Sequence, residues 1–248
     1  MGGGCANMAH WVILEGIDGA GKSTLVHWLS ERFKSIVPAV WKVSETCNYD
    51  VSRDQLSTKL VRRACVDKDL FRSSVLFSAA RILLPASYPF HDNFDDEVLI
   101  FRDRCFLSTV AYQMEFIAKQ LAELRGSDTL DTIRWVLFEY AKRSDMAWHD
   151  PALVIVLQVD PEVSYARQSA YSSDSFLPPN ADVVRFLSDV SENYFSVVRD
   201  FGDYLPDWTF AFVNANCTLS ELCSDVERIV FDWLDDRQFK YSKSGGEG

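Results

Sequence analysis

Long apolar runs are missing from this chain of 248 residues. Its apolar stretches are strand-sized and interrupted, so none reads as a membrane-spanning helix or a secretory leader. Paired cysteines are missing too. Cys5, Cys47, Cys65, Cys105, Cys217 and Cys223 form no C-x-x-C pair, which removes the usual signature of a zinc site or thiol redox centre. Reduced thiols and a cytoplasmic setting are the expectation. Positive charge is scarce. The 25 Lys and Arg against 36 Asp and Glu leave a formal net charge of −11, which argues against nonspecific nucleic-acid binding. No Asn-Lys-x-Asp guanine signature occurs, and Asn214-Ala215-Asn216-Cys217 does not supply one. The start, Met1-Gly2-Gly3-Gly4-Cys5-Ala6, fails the myristoylation pattern because position six is Ala. There is no internal repeat.

What is present suffices for a full core: 48% of the residues are apolar, and the length fits one α/β domain. Residues 1–9 are expected to form a flexible arm, 10–241 a single domain, and 242–248 a disordered tail. Within the domain, short apolar runs alternate with longer helical patterns. His10 to Leu14, Val37 to Val43, Val98 to Phe101, Leu153 to Val159 and Trp208 to Val213 read as strands. Helices are predicted over Ser23 to Phe33, Arg53 to Val66, Asp69 to Leu84, Leu107 to Leu124, Leu130 to Arg143, Pro161 to Ser169, Ala181 to Phe201 and Leu219 to Leu234. Strands that are apolar throughout and separated by helices imply a five-stranded parallel sheet covered on both faces, a three-layer α/β fold. Ligands of such sheets bind beyond the carboxyl ends of the strands.

Gly16-Ile17-Asp18-Gly19-Ala20-Gly21-Lys22-Ser23 fits G-x-x-x-x-G-K-[ST] and stands between a strand and a helix. The pattern builds an anion site. Backbone N–H groups of Gly16, Gly19, Ala20 and Gly21 line the turn, and the helix dipole adds partial positive charge. Lys22 is placed to reach the β- and γ-phosphates of a nucleoside triphosphate, and Ser23, followed by Thr24, to hold Mg²⁺. Asp103 and Arg104 end another strand at the same sheet edge, where a carboxylate suits Mg²⁺ and an Arg suits an anionic substrate; a surface ion pair has the same pattern. Phe77 and Arg81, four apart on a predicted helix, share one face. That pair suits a flat base, and equally a core Phe beside a surface Arg. Tyr112 and Gln113, on the helix after Asp103-Arg104, offer a planar wall and an amide.

The segments LEGIDGAGKST, LFSAAR and DRCFLSTVAYQ, in this order and spacing, resemble the thymidylate kinases, P-loop nucleoside monophosphate kinases. The resemblance runs from Trp11 to at least Gln113. It implies transfer of the γ-phosphoryl of ATP, with Mg²⁺, onto dTMP, and a homodimer; the acidic net charge and the strand-sized apolar runs add the expectation of no nucleic-acid or membrane partner. It implies that Lys22, Ser23 and Thr24 handle ATP phosphates and metal, and that Asp18 accepts from the 3′-hydroxyl of the acceptor. Phe77 would stack on thymine, Arg81 and Gln113 contact the base, and Tyr112 lie under the deoxyribose. Asp103 would serve metal and acceptor phosphate, and Arg104 hold that phosphate.

The chain departs from the family in four places. Val43-Ser44-Glu45-Thr46 stands where an acceptor-binding Arg followed by Glu-Pro is usual, so Glu45 remains and the Arg does not. Cys105 replaces the Tyr that follows Asp-Arg. The P-loop carries no Arg, and the expected lid, residues 168–184, has neither Lys nor Arg, which leaves Arg167 as the candidate transition-state cation. An ordinary helix-surface Arg has the same sequence signature. The stretch Asp92 to Glu97 is acidic and reads as a solvated turn. Two other readings stay open: a deoxynucleoside kinase with Glu45 as general base, and a nucleotide-binding protein with little catalysis.

Overall fold

The computed structural model describes residues 9–44, 59–60, 63, 69–83, 98–145, 150–170 and 180–239. Glu45, the acidic stretch 92–97 and the lid segment 171–179 lie outside the described residues, as does nearly all of the helix predicted over 53–66.

Five parallel strands form one sheet in the order β2-β3-β1-β4-β5. They are β1 (Ala9–Gly16), β2 (Ala39–Ser44), β3 (Val98–Asp103), β4 (Ala152–Gln158) and β5 (Trp208–Asn214). Central β1, β3 and β4 are buried almost throughout, because helices cover both faces of a parallel sheet and leave no solvent side. β5 is an edge strand, and only Trp208 and Val213 along it are buried. The chain moves from β1 to one side for β2 and β3 and returns to the other side for β4. Leu14 pairs with Asp103 and Gly16 with Leu157, so a crevice opens where β1, β3 and β4 end together.

Eight helices accompany the sheet among the described residues: α1 (Lys22–Phe33), α2 (Leu70–Leu83), α3 (Phe106–Thr109), α4 (Glu115–Arg125), α5 (Leu130–Arg143), α6 (Pro161–Ala170), α7 (Ala181–Phe201) and α8 (Leu219–Asp236). Helix starts follow local chemistry. The Asn180 side chain accepts from Asp182 N at 3.0 Å ahead of α7, and Thr218 with Glu221 forms a capping box ahead of α8. The core joins both layers: Phe138 of α5 stacks on Phe201 of α7 at 4.5 Å and meets Phe106 edge-on at 5.6 Å.

The single helix expected over Leu107 to Leu124 is interrupted. Val110–Met114 is a π-helical turn between α3 and α4. Its cause is visible: the buried Asn193 on α7 donates from Nδ2 to the Ala111 carbonyl at 2.8 Å, inserting a side-chain partner into the helical ladder.

Candidate active site

The turn after β1 is held from behind. Gly16 (φ +128°) lies so close to β4 that a Cβ there would sit 2.6 Å from the Leu157 carbonyl oxygen. Gly19 (φ +81°) meets the Ser164 carbonyl oxygen of α6 at the same distance. Ser164 Oγ and Gln168 Nε2 of α6 both donate to the Asp18 carbonyl, the latter at 3.0 Å. The loop is therefore braced before any ligand arrives. Gly21 enters α1 in the left-handed region (φ 98°), and no side chain caps that helix start. Its first amides stay available to an anion.

Lys22 is buried and donates from Nζ to the Ile17 carbonyl at 2.8 Å. Burial, then the positive charge of Arg104, lower its pKa to about 8. Ser23 Oγ donates to Asp103 Oδ2, while Asp103 Oδ1 is buried without a hydrogen-bond partner. A hydroxyl beside a carboxylate with an unused oxygen suits Mg²⁺, which takes few protein ligands when phosphates supply the rest. Among the described residues no group of three His, Cys, Asp or Glu is placed to hold a metal alone.

Arg104 stands directly after β3 at φ 70°, one of two non-glycine residues with positive φ among those described. Its guanidinium ion-pairs with Asp18, donates from Nη1 to Ser108 Oγ at 2.9 Å, and lies 5.2 Å from the Tyr112 ring centre. Burial works against ionisation of Asp18, but Arg104 and Lys22 outweigh it and hold the carboxyl below its usual value. Tyr112, in the π turn, accepts at its hydroxyl from Asp18 N at 2.8 Å. Burial pushes that phenol pKa up, so it stays protonated at neutral pH.

These groups meet at an open cavity of about 760 Å³ lined by the P-loop from Asp18 to Thr24 and by Asp103, Arg104, Arg167 and Cys217. Arg167 donates from Nη2 to the Ala215 carbonyl at 3.0 Å, which places it at the rim beyond β5. The predicted base-contacting residues stand apart from this lining. Phe77 is half-buried on α2, and Arg81 is buried with its guanidinium donating to Thr109 Oγ1 at 2.7 Å and Ser144 Oγ at 3.4 Å. Gln113 Oε1 is buried with no hydrogen-bond partner, an acceptor available to a ligand. Cys105 is fully buried, and burial raises its thiol pKa well above the usual value.

Sequence reasoning missed Glu15, Ser164, Tyr194 and Asn193. Glu15 had a signal: a carboxylate inside the apolar run HWVILEG must be hydrogen-bonded. The other three lie on ordinary helical patterns and carry none.

Fold and cradle together define a P-loop kinase. Within that class the chain is similar to the thymidylate kinases. The family model for thymidylate kinase matches residues 14–125. A probable thymidylate kinase of Methanobrevibacter smithii is 26% identical over 228 residues, covering 90% of this chain and 95% of that protein. The Bacillus cereus thymidylate kinase is 26% identical over 230 residues, covering 90% and 98%. A solved structure of thymidylate kinase from Candida albicans superposes with a TM-score of 0.57 at 16% identity, covering 96% of both chains, and shares the fold.

Proposed function

We propose that this protein transfers the γ-phosphoryl group of ATP to dTMP, giving ADP and dTDP. The observation that carries the reading is the meeting of the P-loop with Asp103 and Arg104 at one cavity, with Tyr112 behind it, bonded through its hydroxyl to the Asp18 N–H. A donor-phosphate cradle there faces a cation and an aromatic wall fit for an anionic nucleotide. Lys22 and the amides of Gly16, Gly19, Ala20 and Gly21 bind the β- and γ-phosphates, and Thr24 completes that end of the cradle. Ser23 and Asp103 hold Mg²⁺, which when bound offsets phosphate charge.

On the acceptor side, Arg104 grips the dTMP phosphate, Asp18 accepts from the 3′-hydroxyl, and Tyr112 backs the deoxyribose. Phe77 stacks on thymine, and Arg81 and Gln113 address its edge, which requires Arg81 to exchange a hydroxyl partner for the base. Glu45 is assigned to the acceptor by sequence resemblance alone, since it lies outside the described residues. Reaction is direct in-line attack of the acceptor phosphate oxygen on the γ-phosphorus with no covalent enzyme intermediate, and catalysis comes from positioning and positive charge. Arg167 supplies transition-state charge after leaving the Ala215 carbonyl. A cytoplasmic homodimer completes the proposal. The exposed apolar side chains of Leu124 on α4 and of Val136 and Tyr140 on α5 support self-association.

The test is ADP release with Mg²⁺ and ATP across dTMP, dUMP, dCMP, dGMP, dAMP, UMP and the matching nucleosides. The expected result is fastest turnover with dTMP. Turnover with nucleosides alone would make the protein a deoxynucleoside kinase. ATP binding with silence toward every acceptor would leave a nucleotide-binding protein.

A further inference from the structure

We propose that Glu15 is a positioning residue for Arg104, and so governs affinity for the acceptor phosphate without touching it. This rests on the reading of Arg104 as the phosphate-holding cation.

Glu15 is the penultimate residue of β1 and has no solvent exposure. A carboxylate taken out of water is tolerated only when its oxygens are hydrogen-bonded. Oε1 accepts from Cys105 N at 2.6 Å. Oε2 accepts from Ser108 Oγ at 2.6 Å and from Tyr194 Oη at 2.9 Å. None of these donors is a cation. The link to positive charge runs through Ser108, whose oxygen accepts from Arg104 Nη1 at 2.9 Å. Glu15 thus fixes the hydroxyl that fixes the guanidinium.

The backbone is held in the same way. Arg104 has φ 70°, a conformation that side-chain-bearing residues adopt only when their surroundings impose it. Its own N–H donates to the Leu14 carbonyl at 3.0 Å, and the next N–H, of Cys105, donates to Glu15. Two consecutive residues of β1 therefore clamp the two amides that bracket the left-handed turn. With Asp18 on Nη2 and the Tyr112 ring against the plane, the guanidinium has one orientation at the cavity wall. Tyr194, on α7, brings a third element onto the same carboxylate.

The test compares binding of dTMP and thymidine, which differ only in the phosphate, by calorimetry of wild type, Glu15→Gln and Ser108→Ala. Glu15→Gln keeps the volume, removes the charge and puts an amide donor against donors. Ser108→Ala cuts the link to Arg104 while leaving the other two contacts of Glu15 in place. Each variant is expected to weaken dTMP by about tenfold, equivalent to about 1.4 kcal/mol, with thymidine and a non-hydrolysable ATP analogue changed less than about twofold. Ser108→Thr, which restores the hydroxyl, is expected to recover the dTMP-over-thymidine ratio. A purely structural role would weaken all three ligands together. An unchanged ratio in both Glu15→Gln and Ser108→Ala, beside a wild type that prefers dTMP, overturns the proposal alone. A wild type without preference for dTMP over thymidine overturns it together with the assignment of Arg104.

Discussion

Lys22 sits where an ammonium holds its proton weakly: buried, beside Arg104, with a pKa lowered to about 8. A bound triphosphate adds negative charge and raises that pKa again. ATP affinity should therefore be flat below about pH 8 and fall as pH rises above it, with proton uptake on binding in that range. Calorimetry of a non-hydrolysable analogue at pH 8.5, in two buffers of different ionisation enthalpy, measures the uptake, and Lys22→Met should abolish it. In turnover, Lys22→Ala should lower kcat by about 10²–10³-fold, the magnitude seen when a preorganised donor to developing charge is removed. If Arg167 exchanges its contact with the Ala215 carbonyl for phosphate only in the transition state, as proposed, Arg167→Ala should lower kcat more than it raises KM. Unaltered kcat in that variant, measured at saturating ATP and dTMP, would assign the charge elsewhere.

At the scale of elements, the π turn and the aromatic stack make separate demands. Asn193→Leu removes the donor to the Ala111 carbonyl and should cost about 1–3 kcal/mol of stability, the penalty of an unmade buried hydrogen bond. A denaturant midpoint shift at constant slope reads it out. Phe138→Ala, at the centre of the stack with Phe106 and Phe201, should cost about 3–5 kcal/mol, since the pocket cannot collapse around a missing ring. The strands were legible because buried parallel strands are written as unbroken apolar runs, and observed ends differ from the expected ones by only a few residues. The helix after Asp103-Arg104 was legible as a helix but not as an interrupted one. Its interruption comes from Asn193, some eighty residues away, and no local periodicity records a partner at that distance. The same limit hid the Glu15 cluster, whose donors come from residues 105, 108 and 194. The P-loop, by contrast, was legible whole, because its chemistry is contiguous along the chain. Arg81 shows the intermediate case: its place on α2 was readable, but not that its guanidinium is engaged by Thr109 and Ser144.

For the whole molecule, ligand binding and folding are coupled, since the cavity draws on the loop after β1, on α1, β3, α6 and α8 at once. A nucleotide at one hundred times its Kd should stabilise the fold by about 2.7 kcal/mol. For a chain of this size, that corresponds to a rise in Tm of about 5–10 °C, measurable by scanning fluorimetry. ATP and dTMP together should exceed either alone. The exposed apolar side chains on α4 and α5 predict self-association, and light scattering coupled to size exclusion should give twice the 28.3 kDa of the chain. Leu124→Glu should return the single-chain mass without loss of folding, because that side chain is 81% exposed in one copy.

The close approach of Gly19 to α6 bears on how such a protein changes over generations. The obstacle to a side chain at position 19 is a main-chain oxygen, so no substitution of Ser164 removes it, and the positive φ adds a second barrier. An arginine at position 19 is therefore not one mutation away. It requires α6 to shift as a body, and with it Arg167 and Gln168, which reach the cavity from that helix. A side chain at position 19 and the present seat of α6 are thus alternatives: the chain can change one only by moving the other.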